Sequence, residues 1–178
     1  MSFHRRQLRR IDHIGHARYL TCSCYRRLPL LGHPRIRDVL AEQLNHLHQQ
    51  GGFHLYAWVI MPEHFHLLIL PKDGRVSVFL RRLKAPLAKQ VIQRWRHLNA
   101  KILTRLQDTD GVVRFWQRGG GYDRNLIDGS ELATKIDYIH ANPVRRRLVN
   151  SATEWKWSSA RQYAGLNCIG PEMTNPLT

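Results

Sequence analysis

The chain has 178 residues, a length that suits one domain with a sizeable hydrophobic core. Its 28 Lys and Arg residues against 13 Asp and Glu leave a formal charge of +15, and arginine, which grips phosphates bidentately or stacks on bases, supplies 22 of the 28 cations. This excess favours a nucleic-acid partner, whereas the lack of an apolar stretch of about 18 residues and of a strongly amphipathic basic helix argues against a membrane partner.

The sequence begins with a basic arm and a first strand. Residues 1–16 have no clear pattern and lack the apolar core of a signal peptide, and so we expect a cytoplasmic protein. Alternation over 17–25 predicts a strand on which Cys22 and Cys24 are small inward-facing side chains. With Cys168 far away, the three cysteines indicate neither a disulfide framework nor a zinc site.

The next segment predicts helix, strand, strand and helix. Helical spacing begins at Pro34 and ends before two consecutive glycines. The apolar run 53–70 is too long for one strand and is divided by Met61-Pro62-Glu63 into two antiparallel strands. A helix with a basic face follows over 76–92, in which Pro86 is expected to cause a kink or a restart.

The last part of the chain predicts a strand and a helix. A loop over 96–110 leads to a strand over 112–126 with a bulged, glycine-rich centre, and Ser130 is expected to cap a helix that runs to Val144. A short element at 154–163 precedes a C-terminal tail over 164–178. The order βαββαβα predicts a single α+β domain over 1–178, with an antiparallel sheet and its helices on one face.

The second strand of the 53–70 run begins with His64-Phe65-His66. Side chains alternate along a strand, and so both histidines project to the same face, where two neutral imidazoles form half of a metal coordination shell. Two partly buried histidines that are hydrogen-bonded into an ordinary sheet explain the same pattern, and the choice depends on finding further ligands.

The helix over 131–144 offers such ligands. Its core stripe is Leu132, Ile136 and Ile139; at about 100° per residue Tyr138 falls off this stripe and Asn142 falls beside it. An amide oxygen is a hard ligand suited to Mg²⁺ or Mn²⁺. Alternatively, Asn142 turns the chain before a proline and Tyr138 is an ordinary surface residue.

Two motifs together resemble the REP-associated tyrosine transposases of bacteria, which are single-tyrosine HUH transposases and endonucleases. The motifs are Pro62-Glu63-His64-Phe65-His66 and Asp137-Tyr138-Ile139-His140-Ala141-Asn142-Pro143-Val144. The resemblance extends over about 17–163 and includes Phe115-Trp116-Gln117 and Trp155-Lys156-Trp157-Ser158-Ser159. The stretch 118–124 departs from the family in its glycine content. The resemblance implies an HUH fold, with a ferredoxin-like or RRM-like antiparallel sheet of four to five strands and helices packed on it.

The resemblance also implies a site and a reaction. His64, His66 and Asn142 are expected to bind Mg²⁺ or Mn²⁺, and Tyr138 is expected to attack the scissile phosphate, leaving a 5′-phosphotyrosine and a free 3′-OH. Lys135, on the same flank of the helix, is a candidate for assisting the tyrosine. The implied substrate is single-stranded DNA with hairpins, the repetitive extragenic palindromes. A monomer is more expected than a dimer, although in some relatives the tyrosine helix completes the partner's site.

Arginine clusters are candidates for gripping the DNA phosphates. They are Arg5-Arg6, Arg9-Arg10, Arg26-Arg27, Arg81-Arg82, Arg118 and Arg145-Arg146-Arg147. Trp116, Tyr122 and Trp157 could stack on bases or belong to the core. Two other functions stay open: a non-catalytic nucleic-acid-binding regulator with the same fold, and a hydrolase that uses a metal-bound hydroxide.

Overall fold

The computed structural model describes residues 15–119, 121–126 and 128–174. The strands are β1 (Ala17–Ser23), β2 (Phe53–Ile60), β3 (His64–Pro71) and β4 (Tyr122–Leu126), and the helices are α1 (Pro34–Gln49), α2 (Val76–His97), α3 (Ile102–Arg105), α4 (Gly129–Arg145) and α5 (Ala160–Tyr163). Short 3₁₀ turns cover Tyr25–Arg27 and Ala152–Glu154. The predicted order of the main elements is confirmed. Most of the predicted arm lies outside the described residues, and with it Arg5, Arg6, Arg9 and Arg10.

The four strands form one antiparallel sheet in the order β2-β3-β1-β4. The connection between β2 and β3 is Met61-Pro62-Glu63, in which Pro62 cannot donate a ladder hydrogen bond, and His64 begins β3 as predicted. In the ladder, Thr21 lies opposite His66 on one side and opposite Tyr122 on the other. The βαββαβ connectivity is that of ferredoxin-like and RRM-like sheets, and the predicted α+β fold class is confirmed.

Helices cover both faces of the sheet. The Phe65 ring packs edge-on against Trp116 with centroids 5.5 Å apart, and the indole of Trp116 donates a hydrogen bond to the Lys84 carbonyl in α2. The next side chain, His66, lies against Tyr138 of α4 with ring centroids 5.8 Å apart. Because neighbouring side chains of a strand point to opposite faces, α2 and α4 lie on opposite sides. The prediction of helices on one face was wrong, because β3 is apolar and buried on both faces and needs cover on each.

The edge strand β2 is covered by the chain that follows α4. The Ile60 amide donates to the Trp157 carbonyl at 2.9 Å, and the Thr174 amide donates to the Leu55 carbonyl at 2.9 Å. These bonds satisfy backbone groups that an open sheet edge would expose. The described part of the predicted tail therefore packs along the sheet, and Trp157 belongs to the core.

Several local predictions need correction. The strand expected over 112–126 is reduced to β4, because Gly119 and Gly121 adopt positive φ and interrupt the extended chain. The cap of α4 is Asp128, the residue directly before the helix, and not Ser130. The Asp128 carboxylate accepts a hydrogen bond from the Ser130 amide. Helix α2 continues through Pro86 without restarting, and α3 lies in the expected loop over 96–110. Among the described residues, no helix is long and apolar enough to cross a bilayer.

Candidate active site

A cavity of about 520 Å³ opens between α4 and the sheet. It contains the five side chains for which the sequence predicted chemistry, namely His64, His66, Lys135, Tyr138 and Asn142. Its other lining residues are Tyr19, Thr21, Arg27, Tyr122, Arg145 and Arg146. The lining has four cationic side chains and no carboxylate, and so the cavity suits an anion.

The two histidines of β3 converge on one point. Their Nε2 atoms lie 3.0 Å apart, and the rings meet at an interplanar angle of 77°. Two nitrogen ligands that each lie about 2.1 Å from a metal ion can have this separation when they occupy neighbouring positions of its coordination shell. The prediction that the pair shares one face is confirmed.

The other ring nitrogen of each histidine is engaged by the protein. Nδ1 of His64 lies 3.1 Å from the Glu63 carboxylate, to which it can only donate. Nδ1 of His66 lies 2.8 Å from both the Thr21 and the Tyr19 hydroxyls. A hydrogen bond at Nδ1 fixes the ring orientation and leaves the Nε2 lone pair for a ligand, as is usual for histidines that bind metals.

Both histidines are held in the neutral form. Burial is the main cause that lowers the pKa of His66 to about 3, and the neighbouring His64 adds to it. Burial also lowers the pKa of His64, against the opposing effect of Glu63. A neutral imidazole is the form that binds metal, and so the pair is ready to bind at neutral pH without losing protons.

Asn142 offers an oxygen to the same cavity. Its side chain is only 6% exposed, and its Nδ2 donates to the Tyr138 carbonyl one turn earlier at 3.1 Å. This bond uses the amide nitrogen, and Oδ1 has no hydrogen-bond partner among the described residues. Within the described ranges, no three His, Cys, Asp or Glu side chains cluster as a metal site. Two imidazoles and an amide oxygen that line one cavity are groups that could hold a divalent cation.

Tyr138 is reachable from solvent at the edge of this cavity, with 36% of its surface exposed. Its ring lies edge-on to that of Tyr19, with centroids 6.1 Å apart. The Arg145 guanidinium lies 4.8 Å from the ring centroid of Tyr138 and the Lys135 ammonium lies 5.4 Å from it. Both cations therefore add positive charge to the edge of the cavity where Tyr138 lies.

The predicted DNA-binding arginines separate into two groups. Arg27, Arg145 and Arg146 line the cavity, whereas Arg147, next in the chain, does not. On α2, Arg82 contacts Gln50 and Arg81 is exposed beside Trp116. The others lie elsewhere: Arg118 pairs with Asp110 at 3.7 Å, and Arg26 contacts the Arg105 carbonyl.

Three residues of the site were not assigned a role from the sequence. Glu63 is buried and holds both His64 and Arg146, while Tyr19 and Thr21 hold His66. The available signal for Glu63 was its position directly before the histidine pair. No local signal marks Tyr19 and Thr21, because their role depends on the pairing of β1 with β3.

Comparison with known proteins settles the family. A family model described as "Transposase IS200 like" matches residues 15–142, a range that begins just before β1 and ends at Asn142. The chain belongs to the family of IS200-like transposases. The family resemblance carried by the two motifs is thereby confirmed, and the matched range contains His64, His66 and Tyr138.

Two individual proteins are similar to this transposase-family chain. A curated protein of Haemophilus influenzae, assigned provisionally as a REP-associated tyrosine transposase, is 31% identical over 110 residues, which are 60% of this chain and 58% of that protein. A solved structure of a REP-associated tyrosine transposase bound to a REP hairpin matches with a TM-score of 0.64, at 21% identity, over 94% of this chain and 92% of the other. The structural match confirms the fold.

Proposed function

We propose that this IS200-like transposase is a metal-dependent endonuclease and strand transferase that acts on single-stranded, hairpin-bearing DNA through a covalent bond to Tyr138. The observation that supports this most directly is the meeting of Tyr138 and the histidine pair in one cavity of a single chain, with the Tyr138 and His66 rings 5.8 Å apart. A tyrosine beside two neutral imidazoles and four cations has the groups that phosphoryl transfer requires.

In the proposed reaction the Tyr138 hydroxyl oxygen attacks the scissile phosphorus. The bond between phosphorus and the 3′-oxygen breaks, which leaves a 5′-phosphotyrosine and a free 3′-OH. A tyrosine hydroxyl is a weak nucleophile. It loses its proton during the attack and the departing 3′-oxygen takes one up, while the Lys135 and Arg145 cations beside the ring offset negative charge that develops on the phosphate oxygens. Attack by the 3′-OH of a second strand then restores the tyrosine and joins the DNA without ATP.

His64, His66 and Asn142 would hold Mg²⁺ or Mn²⁺, which when bound supplies positive charge that polarises the phosphate oxygens. Glu63, Thr21 and Tyr19 orient the two imidazoles, and so the site needs little rearrangement. Arg27, Arg145 and Arg146 line the same cavity and would hold phosphates of the strand.

Single-stranded DNA fits this arrangement better than a duplex. A tyrosine fixed on a helix has to reach phosphorus in line with the leaving oxygen, and a stacked duplex obstructs that approach. A hairpin next to the cut strand is supported by the similar solved structure, which is described as bound to a REP hairpin. Since one chain supplies every residue named here, we expect the monomer to be active.

The test is formation of a covalent adduct. A hairpin-bearing single strand, labelled on the 3′ side of the cut, is incubated with the protein and Mg²⁺ or Mn²⁺ and analysed on a denaturing gel. We expect an adduct with the unaltered protein and with Tyr122→Phe, a matched change in the same cavity, and none with Tyr138→Phe. Peptide mapping should place the phosphodiester on Tyr138.

Other outcomes would overturn the proposal. Cleavage that persists in Tyr138→Phe without an adduct would indicate hydrolysis by a metal-bound hydroxide. Tight binding with neither cleavage nor an adduct would indicate a non-catalytic regulator. Loss of the adduct in Tyr122→Phe, with the adduct retained in Tyr138→Phe, would show that Tyr138 is not the nucleophile.

A further inference from the structure

A second, larger cavity of about 990 Å³ lies on the opposite side of the sheet from Tyr138. It is a groove between α1, the C-terminal half of α2, α3 and the segment that precedes α1. We call it the α1–α2 groove, and it is lined by Leu28, Pro29, Leu30, His33, Arg35, Ile36, Val39, Gln90, Val91, Arg94, Trp95, Leu98, Ile102 and Arg105.

The floor of the α1–α2 groove is apolar and partly open to solvent. Leu98 is 56% exposed, a large fraction for an apolar side chain beside a tryptophan. The half-buried Trp95 ring stacks on Phe115 at an interplanar angle of 22° and a centroid separation of 5.8 Å, which holds its plane in position. A fixed aromatic ring beside exposed aliphatic side chains is a surface on which an unpaired base can stack.

The rim of the groove is cationic. Arg35, Arg94 and Arg105 all line it, and its lining contains no Asp or Glu. None of these three arginines has an ion-pair partner among the described residues. Because no acidic side chain of the described residues pairs with them, the rim is complementary to a phosphate chain.

The groove is connected to the Tyr138 cavity through the turn Tyr25–Arg27. Arg27 lines the cavity, and its neighbour Arg26 donates to the Arg105 carbonyl at 3.4 Å at the groove. Both arginines adopt left-handed backbone conformations, with φ of 52° and 53°, in which side chains other than glycine are uncommon. The turn thus places one cation at the Tyr138 cavity and the next one against the backbone of Arg105, which lines the groove.

We propose that the α1–α2 groove binds an unpaired DNA segment that flanks the nucleotide held at Tyr138, with a base on Trp95 and Leu98 and phosphates on Arg35, Arg94 and Arg105. The inference rests on the proposed function, since the strand is the substrate of the tyrosine. A single strand fits better than a duplex stem, because a duplex offers phosphates to the rim but keeps its base faces from an apolar floor.

The test measures binding without cleavage. Every protein is the full chain carrying Tyr138→Phe, in EDTA, and the probe is a fluorescent hairpin either blunt or with a single-stranded extension. The test variant is Arg35→Gln with Arg94→Gln. The control is Lys89→Gln with Arg96→Gln, which removes the same charge from exposed positions of α2 outside the groove.

We expect the test variant to bind the extended hairpin about tenfold more weakly and to reduce the slope of log K against log salt by about 1.4, which is about 0.7 for each lost single-strand phosphate contact. The control should change neither quantity, and the blunt hairpin should bind both variants alike. In a second measurement, an extension with 5-iodouracil should cross-link to the peptide that contains Trp95.

The proposal is overturned if the control weakens binding as much as the test variant, or if cross-links form only at other peptides. If the test variant weakens binding of the blunt hairpin equally, the groove binds a duplex stem and not a single strand. These results are independent of the tyrosine chemistry: a groove effect without any adduct in the unaltered protein supports the groove and contradicts the catalytic proposal.

Discussion

Glu63 accepts a hydrogen bond from Nδ1 of His64 at 3.1 Å, and the same oxygen lies 3.0 Å from the Arg146 guanidinium. The carboxylate is 7% exposed. It therefore joins the histidine pair to a cation at the cavity, and a buried carboxylate that orients an imidazole strengthens the ring as a ligand.

Replacing this carboxylate should weaken metal binding. We expect Glu63→Gln to lower the affinity for Mn²⁺ by about 10- to 100-fold, because the imidazole of His64 loses its charged acceptor. Calorimetric titration with Mn²⁺ measures the affinity directly, and adduct formation as a function of Mn²⁺ should show the same shift. Glu42→Gln changes an exposed acid of α1 and serves as the matched control. Equal Mn²⁺ affinities for the two variants would show that Glu63 does not support the site.

Arg145 and Arg147 should differ in their effect on the reaction although both belong to the same arginine run. Arg145 lies over the Tyr138 ring and lines the cavity, whereas Arg147 does neither. We expect Arg145→Gln to slow adduct formation about tenfold, equivalent to about 1.4 kcal/mol of transition-state stabilisation, and Arg147→Gln to change it little. Single-turnover rates with saturating DNA separate this effect from binding. Equal rates for the two variants would remove Arg145 from the proposed mechanism.

Stability should fall on acidification because buried histidines stay neutral in the folded chain. Burial lowers the pKa of His66 to about 3 and that of His140 to about 4, while unfolded histidines titrate near 6.5. Between about pH 6.5 and pH 4 the unfolded chain binds more protons than the folded chain. The free energy of unfolding should therefore decrease as the pH falls, by up to about 1.4 kcal/mol per pH unit for each histidine.

Urea unfolding in EDTA at several values between pH 7.5 and pH 4.5 checks this slope, and the chelator excludes stabilisation by bound metal. His66→Gln removes one of the titrating groups and should make the slope shallower. A free energy of unfolding that is independent of pH, or a slope unchanged in His66→Gln, would contradict the prediction.

Local periodicity predicts which side chains of the candidate site share a face, and the family resemblance was needed to choose the metal-binding and nucleophilic roles over the alternatives. A strand places His64 and His66 on one face, and a helix places Tyr138 and Asn142 on one flank. These rules operate within a few residues, and the structure brings both pairs into one cavity.

The parts that could not be predicted depend on contacts between distant segments. Thr21 reaches His66 only because β1 pairs with β3 in one register, which period-two alternation does not specify. The placement of α4 opposite α2 depends on which face of the sheet remained uncovered. A run of arginines does not indicate which side chain faces a cavity, and so the sequence predicts the same DNA-binding role for Arg145 and Arg147.

Gly121 is expected to be required for the junction between β4 and β1. It has φ of +74°, and an added Cβ would overlap the Thr21 carbonyl oxygen, a backbone atom that cannot move without disturbing the ladder. Gly119 has a similarly positive φ of +91°, but an added Cβ there meets open space. Gly119→Ala should therefore cost about 1 kcal/mol of unfolding free energy from strain alone, and Gly121→Ala should cost at least about 3 kcal/mol. Urea unfolding of the two variants measures the difference.

Since Thr21 also holds His66, Gly121→Ala should in addition reduce adduct formation at temperatures where the protein stays folded. Equal stability of the two alanine variants would show that the junction relaxes around the extra carbon.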